Sequence, residues 1–119
     1  MIVWLYIIRI IFMERKICNK LVRDRIPEII KKEGGSPITK ILDDNEYKKL
    51  LRLKLLEEAG EVNAAKTARD LEKELSDVLE VVDAIIKNEA LDYKAIAKFK
   101  IKRRKERGSF DKRIYLISG

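Results

Sequence analysis

Residues 43–88 read DDNEYKKLLRLKLLEEAGEVNAAKTARDLEKELSDVLEVVDAIIKN, and the fold turns on how they are read. Apolar residues recur at intervals of three and four, the period of a helix with one buried stripe. Leu50, Leu51, Leu55, Val62 and Ala65 carry a first helix over about 45–65. Leu71, Leu75, Val78, Leu79, Val82, Ile85 and Ile86 carry a second, starting at Thr67 or Arg69 and ending near Asn88. Asp43-Asp44 offers N-caps for the first. So little chain separates the two that the turn must be tight, which makes the helices antiparallel neighbours.

Working outward, Asp92 can cap a third helix from Tyr93 to about Glu106, with Ile96, Phe99 and Ile101 partly inward, and Gly108 stops it. Upstream, Asn19 to Glu33 reads as a polar lead and a short helix. Pro27 fits near its start and Gly34-Gly35 ends it. Ser36-Pro37 opens a connector, and Ile38 to Leu42 is extended. In the tail, Ile114, Tyr115, Leu116 and Ile117 suggest a terminal strand. With only five Gly and two Pro in the chain, turns are few and long helices are favoured. The expected class is all-α, a helical bundle with short terminal strands.

Residues 1–12, MIVWLYIIRIIF, have two readings. They form a buried strand, or they are translated from upstream of a true start at Met13, which leaves 13–119 as the domain. The run falls short of the roughly 20 residues a bilayer span needs. It also lacks the basic start and cleavage site of a signal peptide.

The absence of His removes His-dependent zinc sites and His-based triads and dyads together. A single cysteine, Cys18, rules out an internal disulfide and points to the reducing cytoplasm. A net charge of +7 calls for an anionic partner: nucleic acid, an acidic membrane surface or a small phosphorylated molecule. At 119 residues the core is modest, and the apolar stripes are wider than one small bundle needs. A homodimer or dimer of dimers is expected.

The carboxylates carry the functional signal. On the first long helix, with Glu58 at zero and about 100° per residue, Tyr47, Leu51, Leu55, Val62 and Ala65 fall within roughly 60° of it. Glu58 therefore sits inside the apolar stripe, with Glu61 roughly 60° and Glu57 roughly 100° to one side. On the second helix Glu74 shares the stripe of Val78, Val81 and Ile85, and Asp77 lies roughly 60° away at its edge. Glu80 and Asp83 repeat the i, i+3 spacing but rotate out of the stripe. Buried carboxylates facing one another are costly unless something compensates them. A divalent cation does so, and an all-oxygen donor set favours Mg²⁺, with Mn²⁺ as the alternative. The plainer reading is a solvated acidic face in which Lys54 pairs with Glu58 at i, i+4.

The segment Lys54-Leu55-Leu56-Glu57-Glu58-Ala59-Gly60-Glu61, followed by Glu74-Leu75-Ser76-Asp77-Val78-Leu79-Glu80-Val81, resembles the Glu-Glu-x-x-Glu and Glu-x-x-Asp signature of MazG-like nucleotide pyrophosphohydrolases. These belong to the all-α NTP pyrophosphatases, a superfamily that includes phosphoribosyl-ATP pyrophosphohydrolase. The opening Asn19-Lys20-Leu21-Val22-Arg23-Asp24-Arg25-Ile26-Pro27 and the tail Lys105-Glu106-Arg107-Gly108-Ser109-Phe110 are similar to one branch, although Ser109 stands where a second glycine is expected. The likeness covers about residues 14–117.

The resemblance implies Mg²⁺ ligands at Glu58, Glu61, Glu74 and Asp77, with Glu57 at or near the site. It also implies hydrolysis of a nucleoside triphosphate to the monophosphate and pyrophosphate, in a nucleotide-pool role. Glu57 or Glu58 would activate water. Lys20, Arg23, Arg25, Lys54, Arg104, Lys105 and Arg107 are the candidates to hold phosphate. The narrower alternative is phosphoribosyl-ATP hydrolysis. The competing class is a basic nucleic-acid-binding module built on Lys100-Ile101-Lys102-Arg103-Arg104-Lys105, which would leave the buried carboxylates without a role.

Overall fold

The computed structural model describes residues 2–4 and 17–119. It is helical, with no strand among the described residues: α1 (Ile26–Lys32), α2 (Asp44–Ala64), α3 (Ala68–Asn88) and α4 (Tyr93–Arg107). The all-α class and the bounds of the three longer helices agree with the reading of the sequence.

Local chemistry sets the ends. Asp43 accepts the Glu46 backbone N–H at 2.8 Å, and Thr67 accepts that of Asp70 at 3.1 Å. Asp92 accepts from the Lys94 N–H at 2.9 Å. Each satisfies a donor that the first helical turn leaves unpaired. Pro27 lies in the first turn of α1, and Gly34, at φ +89° just past its end, takes a backbone conformation that side-chain-bearing residues avoid.

The main packing is the α2–α3 hairpin. Leu51 and Val81 are its buried centre, flanked by half-buried Tyr47, Leu55, Val62, Val78, Val82, Ile85 and Ile86. At the open end of the hairpin, Glu89 receives Lys48 at 3.1 Å and both carboxylate oxygens receive Arg52 at 3.1 Å, tying the start of α2 to the end of α3.

Three expectations need correction. Ile114 to Ile117 form no strand: they are exposed and have no neighbouring strand to pair with among the described residues. Ile96, Phe99 and Ile101 do not turn inward, because α4 does not pack closely on the hairpin. Its eight basic residues crowd every side of the helix and leave no continuous apolar stripe to bury. Of the N-terminal run, residues 2–4 are helical and exposed, not a buried strand. The rest of that reading lies outside the described residues.

Candidate metal and phosphate site

α2 and α3 each carry a carboxylate in the middle of an apolar stripe, and the antiparallel hairpin sets the two stripes against each other. Glu58, Glu74 and Asp77 consequently meet: each offers a carboxylate oxygen, and the three oxygens lie within 4.8 Å of one another. All three residues are half-buried, and the Glu58 side chain retains 12% of its exposure. Glu80 and Asp83, at the same spacing six residues on, are exposed.

Like charges this close oppose one another's ionisation. Desolvation pushes the Glu74 carboxyl above its ordinary range, and the charges of Asp77, Glu61, Glu58 and Asp70 push it further in the same direction. Glu61 stands outside the close group and is exposed, but its field reaches Glu74. Asp70 was not among the sequence candidates. Its signal is the i, i+4 spacing to Glu74, which puts it on the same helix face.

Cations surround the acidic group. Lys54, itself 15% exposed, lies 3.2 Å from Glu57 and 3.2 Å from Glu58. Burial opposes its charge, but hydrogen bonds to Glu58 and Glu57 outweigh that and raise its pKa. Burial likewise opposes ionisation of Glu57, while hydrogen bonds and charge from Lys54 and Lys20 outweigh it, so the carboxyl is held below its usual range. From the lead before α1, Lys20 reaches Glu57 at 3.4 Å and Arg23 donates to Asp77 at 2.6 Å. Sequence separations of 37 and 54 residues put these contacts beyond any local pattern.

The remaining basic candidates lie elsewhere. Arg25 pairs with Glu28, one turn along. Arg104, Lys105 and Arg107 are exposed near the end of α4 and form no ion pair with the acidic group among the described residues. The structure therefore brings Lys20, Arg23, Lys54, Glu57, Glu58, Glu74 and Asp77 together, and leaves the α4 cations apart within one protomer.

Comparison with known proteins adds little. No family model matches the chain, and no solved structure matches it. An uncharacterized protein of Mycolicibacterium smegmatis (strain ATCC 700084 / mc(2)155) is 50% identical over 48 residues, which are 40% of this chain and 49% of that protein. The match thus spans about half the length of that relative. No helix among the described residues is long and apolar enough to cross a membrane.

Proposed function

We propose that this chain is a cytoplasmic, Mg²⁺-dependent nucleotide pyrophosphohydrolase that converts a nucleoside triphosphate and water to the monophosphate and pyrophosphate. The observation that carries the reading is the meeting of Glu58, Glu74 and Asp77 from two helices, with carboxylate oxygens within 4.8 Å of one another. The donor chemistry fits the ion: three hard oxygen ligands, no nitrogen or sulfur, and a Glu74 whose ionisation is resisted by desolvation and then by its acidic neighbours. Mg²⁺ supplies charge neutralisation for the phosphates and a more acidic bound water.

The protein's own groups do the rest. Lys54 stays protonated and fixes Glu57 and Glu58 in one orientation. Glu57, held ionised, is suited to orient a water by accepting its hydrogen bond. Glu58, which belongs to the group that would hold the ion, is the alternative to Glu57 for activating the water. Arg23 and Lys20, at present on carboxylates, are long enough and exposed enough to turn to phosphate oxygens.

The test is a panel of canonical, deoxy and modified nucleoside triphosphates plus phosphoribosyl-ATP, with Mg²⁺, scored for released pyrophosphate. Release from one or more triphosphates supports the proposal. Release from phosphoribosyl-ATP alone supports the narrower alternative, and none from any of them refutes both.

A second reading has one observation in its favour. From residue 93 onward the chain has ten Lys or Arg against two Asp or Glu, so all of the net positive charge lies there. A basic helix that stands off the hairpin suits a polyanion such as nucleic acid. Salt-sensitive binding to DNA or RNA without nucleotide turnover would favour it.

A further inference from the structure

The cations that reach the acidic group are not held alike. Lys54 belongs to α2 itself, keeps 15% of its exposure, and meets Glu57 and Glu58 one turn along the same helix. It cannot leave without unfolding α2. Lys20 and Arg23 come from the lead before α1, and their side chains are 48% and 57% exposed. Lys20 donates to Glu57 of α2 at 3.4 Å, and Arg23 to Asp77 of α3 at 2.6 Å. These two contacts straddle both helices of the hairpin where Glu58, Glu74 and Asp77 converge.

Little else fastens the lead. It is not helical, and α1 does not pack closely on the hairpin. No further ion pair joins lead and hairpin among the described residues. Leu21 and Val22, between the two cations, are half-buried; they keep the segment beside the site without fixing its charges. Solvated ion pairs of this kind hold weakly, with a preference of about fivefold or less. Asp77 cannot serve Arg23 and a divalent cation equally well. The two positive groups repel across one carboxylate, and the doubly charged one attracts it more strongly.

We propose that residues 20–23 form a strap across the acidic group that a divalent cation displaces: Arg23 and Mg²⁺ compete for Asp77, and Lys20 loosens with Arg23. The inference rests on the metal reading above and adds a sign to it. A residue that supports a metal ligand from outside strengthens metal binding; a residue that competes for the ligand weakens it. The strap also gives binding an order. Without the cation, Lys20 and Arg23 are engaged on carboxylates, and their charge is withheld from an anion. Once displaced, they stay within reach of the site, held there by Leu21 and Val22.

The test is calorimetric titration of the full chain with Mg²⁺ alone, without nucleotide. Arg23→Gln is expected to bind Mg²⁺ about two- to fivefold more tightly than the parent, the factor by which a weak pair withholds its carboxylate. Lys20→Gln should shift the affinity the same way by a smaller factor, and it carries the test if Arg23→Gln does not fold. Arg25→Gln removes the same charge from the same segment, but Arg25 pairs with Glu28, so its affinity should match the parent's. Melting gives a second readout. Arg23→Gln should melt below the parent in EDTA and level with it at saturating Mg²⁺, because the lost pair competes with the cation; an equal deficit in both conditions makes Arg23 merely structural and overturns the strap. Unchanged or weaker Mg²⁺ binding by Arg23→Gln overturns the strap and leaves the metal site standing. Equal tightening in Arg25→Gln reduces the effect to net charge and also overturns it. No Mg²⁺ binding by the parent overturns the strap and the metal reading together.

Discussion

A carboxylate's position on the helix, more than its identity, separates the acidic residues of this chain. Glu74 and Asp77 face Glu58, while Glu80 and Asp83 repeat the same spacing and face solvent. Glu58→Gln or Glu74→Gln should lower pyrophosphate release by on the order of 100-fold or more, since either removes charge from the middle of the donor set. Glu80→Gln and Asp83→Asn should stay within about threefold of the parent. Equal losses in both pairs, measured by initial rates at saturating Mg²⁺, would sink the assignment. Glu58 and Glu74 were legible because helical periodicity alone puts a charge among apolar neighbours, which is costly without a purpose. The partners of Glu57 and Asp77 were legible only as basic residues of the right type. That Lys20 meets Glu57 and Arg23 meets Asp77 depends on how the connector after α1 folds back, and Ser36 to Leu42 carry no periodic signal that would fix it.

At the scale of the helix, the hairpin is closed at its open end by charge and carries a glycine inside α2 near its turn. Two cations, Lys48 and Arg52, hold Glu89, and the Lys48 hydrogen bond is the leading cause of its lowered pKa. A carboxyl whose pKa is lowered in the folded state stabilises the fold above its unfolded pKa. That contribution is lost as pH falls through the folded value. Glu89→Gln should therefore melt below the parent at pH 7, and the gap should close as pH drops below the ordinary 4.5. Added salt should narrow it as well, because the pair is partly solvated. A gap that persists unchanged at pH 3 would assign Glu89 a packing role instead. Gly60 sits inside α2 with nothing within 4 Å of where a Cβ would lie. Gly60→Ala should raise stability to urea by about 0.5–1 kcal/mol through helix propensity alone. A loss of stability would mean that the open space beside Gly60 is filled in solution. Helix bounds were legible because caps and stripes are local signals. The failed expectations share one cause: Ile96, Phe99, Ile101 and Ile114 to Ile117 are apolar, but apolar character reveals only that burial would be favourable. It does not reveal whether a surface within the same chain is there to receive it.

Taken whole, the molecule is electrically divided. Residues from 93 onward hold more than the entire +7 excess, while the hairpin gathers the carboxylates that meet near Glu58. An anionic substrate approaching such a chain is drawn first by the basic arm, and long-range attraction of this kind is screened over roughly 8 Å at physiological ionic strength. The observed rate constant for substrate capture, kcat/KM, should then fall as salt rises from about 0.05 to 0.5 M, with kcat changing far less. The triple variant Arg104→Gln, Lys105→Gln, Arg107→Gln should flatten that dependence and raise KM. These side chains do not touch the acidic group within a protomer, so the variant should keep whatever rise in Tm Mg²⁺ gives the parent. The two readouts separate two roles that a single activity assay would merge. A flat salt profile with the Mg²⁺ shift intact places the α4 cations on the path of the substrate. Loss of the Mg²⁺ shift would instead make them part of the fold or of the metal site. A salt profile identical to the parent's would show that Lys20, Arg23 and Lys54 suffice for the phosphates and that α4 serves another partner.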